Sequence, residues 1–263
     1  MIRQAGILCA GRGTRLRPFT DHAPKPMLPL LGVPMVEWNI RRFRQYGVTD
    51  FYINLHYLPD VICNYLGDGR RLGARIHYHF EPELLGTAGG IKSFEDQLDD
   101  EFFLIYGDIF SHLDYGAMEQ AWRKRTGAVG MQRIAPAMEY GDADVVELDW
   151  DGRIAAVHPK PHTAIYPNAY RMRGVFILRR AILAGVPTGK YYEIGKDLLP
   201  GVIASGQPVY GYVSQDYSKG IDTLDKWKEV EAYLRASGLG GGFVNVETPS
   251  EGGKTCTDPN IQW

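Results

Sequence analysis

The 263 residues carry 29 basic and 31 acidic side chains, a net charge of −2, and 44% of them are hydrophobic. That length suits one α/β domain or two small ones, and the near-neutral balance argues against a nucleic-acid groove or a membrane surface as the main partner. Cys9, Cys63 and Cys256 fit no disulfide framework or zinc pattern, and no apolar run has signal-peptide or membrane-spanning length, so a reduced, cytoplasmic protein is expected.

Taken in chain order, the apolar stretch 4–10 reads as a buried strand bounded by glycine. A helix is predicted from Pro34, with Val36, Ile40 and Phe43 on one face. Residues 50–55 form the next strand, 58–69 a short helix ending at glycine, and 74–80 an alternating strand. Residues 86–98 make a Gly-rich opening to a helix, and 101–108 a buried strand ending in Gly-Asp. A helix over 114–125 and a strand near 127–134 repeat the rhythm, which predicts a parallel-dominated, three-layer sheet. Asp151-Gly152 then marks a hairpin within 144–161, and 171–178 is a further strand. Residues 191–205 start helical, with Pro200 as a break, before a late strand at 207–213. The last helix, 223–236, carries Leu224, Trp227, Val230 and Leu234 on one stripe. The segment 1–237 is thus expected to be the domain, and 238–263 a Gly-rich tail, flexible or a docking arm.

The segment after the first strand, "CAGRGTRLRPFTDHAPKPMLPLLGVPM", concentrates glycine, proline and positive charge. Gly11 and Gly13 are free to take backbone angles closed to other residues and to let an anion approach the main chain. Arg15 offers a planar fork for phosphate oxygens and Lys25 a point charge. Prolines 18, 24, 26 and 29 stiffen the loop, which lowers the cost of ordering it around a ligand. The pattern is not the dinucleotide fingerprint, since the third glycine is missing, and no Gly-Lys-Ser/Thr follows. An NAD-dependent oxidoreductase is disfavoured for the same reason.

The run G-x-G-T-R-L-x-P-x-T-x-x-x-P-K-P-M-x-P-x-x-G-x-P-M, from Gly11 to Met35, resembles the signature of the sugar-1-phosphate nucleotidylyltransferases. The likeness continues at 83–90, 102–108, 140–161 and 220–223, and covers roughly residues 3–236. No hexapeptide repeat is present, so the left-handed β-helix domain of many members is not expected. The resemblance implies a Rossmann-like three-layer α/β/α nucleotidyltransferase fold on a mostly parallel mixed sheet. It implies condensation of a nucleoside triphosphate with a sugar 1-phosphate, giving a nucleotide sugar and pyrophosphate. Arg15 and Lys25 would be catalytic, holding the phosphates. Leu8, Ala10, Gly11, Gly13, Thr14, Gly86 and Thr87 would bind the nucleotide. Gly141, and Lys160 in a segment like the family's Glu-Lys-Pro, would hold the sugar phosphate, although Pro159 replaces the glutamate. Glu193 is either a sugar-hydroxyl partner or an ordinary helix-start glutamate.

Mg²⁺ prefers a few carboxylates plus phosphate oxygens. Asp108 follows an apolar strand and should emerge at a ligand-binding sheet edge, or else cap a helix. For the second ligand, Gly220 stands where many relatives carry Asp, and Asp222 precedes Thr223 as in the sugar-acid cytidylyltransferases. Asp222 is therefore the expected ligand, with a helix N-cap as its other reading. "ELLGTAGG" resembles the mannose- and heptose-1-phosphate guanylyltransferases, and Glu81 and Glu83 lie beside it. A carboxylate can accept from both N1–H and N2–H of guanine, which favours GTP, with CTP, dTTP and UTP as alternatives. A catalytically idle nucleotide-binding regulator is the rival of another class. A homo-oligomer is compatible with all of this; nucleic acid and membrane are not expected partners.

Overall fold

A computed structural model describes residues 1–137, 141, 143–162 and 164–239. In chain order its strands and helices are β1 (Gln4–Leu8), β2 (Pro29–Leu30), β3 (Val33–Pro34), α1 (Met35–Gln45), β4 (Asp50–Leu55), α2 (Pro59–Leu66), β5 (Arg75–Phe80) and α3 (Gly86–Lys92). They continue as β6 (Glu101–Tyr106), β7 (Ile109–Ser111), α4 (Tyr115–Arg123), β8 (Gly130–Pro136), β9 (Val145–Leu148), β10 (Ile154–His158), β11 (Tyr170–Arg179), α5 (Leu199–Ala204), β12 (Val209–Val213), β13 (Ser218–Gly220) and α6 (Leu224–Ala236). The fold is Rossmann-like α/β on a mixed, mostly parallel sheet with helices. The expected tail lies, from residue 240, outside the described residues.

The chain divides into two compact units, and the division falls inside β1 and β6. The first unit holds Met1–Gly6, Leu85–Ile105 and Leu113–Tyr217. Its strands run in the order β10-β9-β11-β6-β1, with β8 also on β11 and β12 parallel to β8. Antiparallel pairing centres on β11, which opposes β6, β8 and β9. The hairpin signal at Asp151-Gly152 is met by β9 and β10, and Gly152 turns there at φ +82°. Phe102, Phe103, Leu104, Phe176, Ile177 and Leu178 are fully or almost fully buried in this sheet. Each such side chain contributes roughly 1.5–3 kcal/mol when taken out of water.

The second unit holds Ile7–Leu84, Tyr106–His112 and the described residues from Ser218 onward. There the end of β1 is followed by β4 and then β5, which run parallel. Helix α1 buries Val36, Ile40 and Phe43 as its spacing predicts. In α6 the stripe is only half realised: Val230 and Leu234 are buried, but Leu224 is 41% exposed at the helix start. Trp227 is held sideways, its Nε1–H donating to the Pro29 carbonyl at 2.8 Å.

Other expectations shift locally. The helix opening at Gly86 ends at Lys92, well short of residue 98. Residues 194–198 wind as a wide π-type turn before α5, and Pro200 sits in the first turn of α5, where its missing N–H costs nothing. The three-residue strands β7 and β13 pair antiparallel, joining Ile109 to Gly220, and nothing in their composition announces them.

Buried Glu37 on α1 ties this unit together. Arg41 Nε donates to its Oε1 and Arg71 Nη2 to its Oε2, each at 2.7 Å. Burial alone would raise its pKa, but the hydrogen bonds from Arg71 and Arg41 outweigh it and hold the carboxyl below its ordinary value. A pKa lowered in the folded state adds stability above the unfolded value, and that stability is lost as pH falls through the folded one. Glu37→Gln should therefore lower the melting temperature most at neutral pH. The gap to the parent protein should shrink as pH drops through the carboxylate range, as thermal melts at stepped pH will measure.

Candidate functional site

In the second unit the loop after β1 is built around Gly13. Its φ of +61° is left-handed, and an added Cβ would lie 3.0 Å from Cβ of Lys25 and 3.2 Å from Cγ2 of Thr20. Thr20 donates its hydroxyl to the Gly13 carbonyl at 3.0 Å, closing the loop on itself. Thr14, Arg15 and Leu16 then form one tight turn, anchored by buried Leu16. Gly11 departs from expectation. Its φ is not positive, and a Cβ there would meet nothing within 4 Å, so it leaves space open rather than bending the chain.

Lys25 begins a second tight turn after extended Pro24, and is 8% exposed. Its Nζ lies 2.6 Å from Oδ2 of Asp108, whose side chain is 40% exposed. The peptide that carries Asp108 is fixed by Gly107. The Gly107 amide donates to Leu8 O at 2.8 Å, and a Cβ would stand 2.6 Å from that oxygen and 2.8 Å from Cys9 Sγ. Burial, reinforced by the charge of Asp108, pushes the Cys9 thiol up, so it stays protonated and is no nucleophile.

Asp222 comes to Asp108 by a route other than the expected one. Asp108 follows β6, as its apolar strand predicts, but Asp222 does not come from the same parallel sheet. Instead the β7/β13 ribbon brings their segments together, and the Ile221 amide donates to the Asp108 carbonyl at 2.8 Å. Asp222 is buried, with Arg15 Nη1 2.7 Å from Oδ2 and Lys226 Nζ 2.6 Å from Oδ1. Asp222 is not the cap of α6: the Thr223 hydroxyl accepts from the Lys226 amide. Four predicted residues, Arg15, Lys25, Asp108 and Asp222, thus form two ion pairs on adjoining backbone. Two carboxylates suit Mg²⁺, which completes its shell with phosphate oxygens and water. No group of three or more His, Cys, Asp or Glu fit to hold a metal occurs among the described residues, so a softer, all-protein site is not what this arrangement offers.

Glu81 is a correction. It is fully buried, and its Oε1 accepts from Asn54 Nδ2 at 2.7 Å, while Asn54 Oδ1 accepts from the Cys9 amide at 2.8 Å. This column supports the loop from behind and does not present a carboxylate to a base. Glu83 is exposed. Sequence reading also missed Asn54, Thr20 and Lys226; polar Asn54 inside an otherwise apolar strand was the available signal.

The first unit holds the other predicted residues. Gly86 opens α3 at φ +73°, with Tyr192 O only 2.7 Å from where a Cβ would stand. Tyr192 O accepts from the Ala88 and Gly89 amides, capping the helix with backbone. Thr87 donates its hydroxyl to Glu193 Oε2 at 2.6 Å and accepts from the Ile194 amide at 2.8 Å. Tyr191 donates to the other Glu193 oxygen. Glu193 therefore precedes a π-type turn and ties that turn to α3, which is neither of the expected roles in full. The Lys160 amide donates to Asp144 Oδ1 at 3.0 Å, and exposed Gly141 lies against the Arg171 guanidinium.

Residues 4–237 match the nucleotidyl transferase family model, and the chain belongs to that family. It is 32% identical to a UTP--glucose-1-phosphate uridylyltransferase of Synechocystis over 94% of this chain and 66% of that protein. It is 30% identical to a mannose-1-phosphate guanylyltransferase of Mycobacterium tuberculosis over 88% of this chain and 64% of that protein. The chain thus spans just under two thirds of the length of these relatives. The crystal structure of HddC from Yersinia pseudotuberculosis superposes with a TM-score of 0.75 at 22% identity, over 89% of this chain and all of that one, a likeness of fold.

Cap and ligand roles are now separable at one junction. Thr223→Ala should cost about 1 kcal/mol of stability with turnover retained. Asp222→Asn should leave the α6 cap intact and remove activity. Melting curves and turnover of the two variants check both statements.

Proposed function

We propose that this chain transfers a nucleotidyl group from a nucleoside triphosphate to a sugar 1-phosphate. The observation that carries the reading is the pairing of Lys25 with Asp108 and of Arg15 with Asp222, on segments joined by one backbone hydrogen bond. The sugar phosphate oxygen attacks the α-phosphorus, a new O–P bond forms, and the bond to the β-phosphate oxygen breaks to release pyrophosphate. Positioning and electrostatics do most of such work. Arg15, 60% exposed on a tight turn, would hold the triphosphate and stabilise the departing pyrophosphate. Lys25, nearly enclosed, would be the bridging cation between attacking and transferred phosphates. The backbone from Ala10 to Thr14 would cradle the phosphates, with Leu8 at the base of the loop. By the family resemblance, Gly86 and Thr87 would bind the nucleotide, and Gly141, Lys160 and Glu193 the sugar phosphate. Asp108 and Asp222 would hold Mg²⁺, which neutralises phosphate charge when bound.

Guanine is the base we place first, on the Leu-Gly-Thr-Ala-Gly-Gly segment and on exposed Glu83 beside it. Uracil is the second reading. Inward-facing Glu81 favours it by withdrawing one of two carboxylates, and the name of the Synechocystis relative agrees.

A panel of triphosphates against a panel of sugar 1-phosphates, read by pyrophosphate release, tests both levels. GTP should exceed UTP, dTTP and CTP by at least about tenfold in kcat/KM, or about 1.4 kcal/mol. A UTP maximum selects the second reading, and no release with any pair refutes the reaction. Lys25→Ala should lower turnover by about 10²–10³ without unfolding, as expected for loss of one preorganised charge.

A further inference from the structure

Three arginines of the first unit stand on neighbouring strands, and among the described residues Asp216 is the one carboxylate that acts on Arg133. Arg171 and Arg173, two apart on β11, share a face of the sheet. Met172 pairs with Ile134 and the register then shifts before Phe176 meets Gln132; Arg173 lies in that irregular stretch, near enough to Arg133 of β8 for its charge to act on it. Arg133 is 2% exposed. Its Nη2 donates to the Asp216 carbonyl, while Nε and Nη1 are buried with no partner among the described residues. Nε of Arg171 and Nε of Arg173 are buried and unpartnered in the same way. The Asp216 carboxylate, which acts on Arg133 from a distance, is engaged by the Ser214 hydroxyl and the Asp114 amide.

This arrangement works against stability. Burial, then the charge of Arg173, pushes Arg133 down to about 10, and burial with Arg171 lowers Arg173. Arg133 is still charged at neutral pH, so the fold carries an enclosed guanidinium whose one acting carboxylate, Asp216, is shared with the Ser214 hydroxyl and the Asp114 amide. Replacing such a group by an apolar one of similar size is commonly neutral or stabilising. Its retention is explained by an anion that pairs with it. Guanidinium forks match the oxygens of phosphate and carboxylate. One edge of the trio borders Gly141, which the proposed function gives to the sugar phosphate: a Cβ there would stand 3.3 Å from Arg171 Nη2.

Resting on the nucleotidylyl-transfer reading, we propose that Arg133, Arg171 and Arg173 form an oxyanion subsite whose occupant is a second acidic group on the acceptor. The substrate class is then a sugar 1-phosphate that also carries a carboxylate or a further phosphate.

Isothermal titration calorimetry with glucose 1-phosphate, glucuronate 1-phosphate and glucose 1,6-bisphosphate tests this on the full chain. The two acidic sugars should bind at least about tenfold more tightly than glucose 1-phosphate, and Arg173→Met and Arg171→Met should reduce the ratio to about twofold or less. The melting temperature of the Met variants should hold or rise. If a Met variant does not fold, Arg173→Lys, which keeps the charge without the fork, should still lose most of the preference. Titration with inorganic phosphate separates a free anion from a sugar substituent. Phosphate binding without preference among the sugars overturns the proposal, as does a preference that survives all these variants. The readout is binding, so absence of pyrophosphate release in the substrate panel would refute the transfer reading and leave this result standing by itself.

Discussion

The second unit depends on a close approach of backbone to backbone. Gly107 lies so near the end of β1 that its missing side chain is occupied by Leu8 O and Cys9 Sγ. That contact fixes the peptide of Asp108 against the start of the loop after β1. From there Asp108 reaches Lys25 with its side chain and Ile221 with its carbonyl, and Ile221 carries Asp222 beside it. A side chain at residue 107 would separate elements that are far apart in sequence, and the two carboxylates would lose their shared frame.

Electrostatics then make the frame stable without a ligand. Two carboxylates on adjoining backbone repel unless opposite charge is near. Lys25, Arg15 and Lys226 supply it, each at 2.6 or 2.7 Å. The buried column from Cys9 through Asn54 to Glu81 does the equivalent for backbone polarity, since an unpaired amide inside the protein is costly. The first unit lacks this balance around Arg133, and the contrast is what singles that cluster out.

Much of this was legible in the chain. Apolar runs marked β1, β4 and β6 because burial on both faces demands it, and the helical spacing of Val36, Ile40 and Phe43 gave α1. Glycine, proline and basic residues singled out the loop after β1, and Gly13 does take the left-handed angle there. Three-residue β7 and β13 were not legible, since their pairing is set by tertiary context and not by period. Glu81 was misread because a carboxylate facing inward and one facing a ligand look alike in sequence. Thr223 displaced Asp222 as the cap because both residues cap well, and only the ion pairs of Asp222 decide between them. Arg133, Arg171 and Arg173 are scattered over forty positions and become a cluster only through the β8/β11 register.

Trp227 touches the phosphate loop on both sides of Lys25. Its ring meets Phe19 edge-on with centroids 5.4 Å apart, and its indole N–H is bonded to the Pro29 carbonyl. Any rearrangement of the loop between those two points alters the polarity around the indole. Trp38 and Trp122, 1% and 2% exposed, are enclosed, and Trp150, 97% exposed on the β9/β10 turn, is already in water. Trp38 also bonds the end of this segment, its indole N–H donating to the Leu30 carbonyl, but it is enclosed, so Trp227 gives intrinsic fluorescence an optical gauge of the loop.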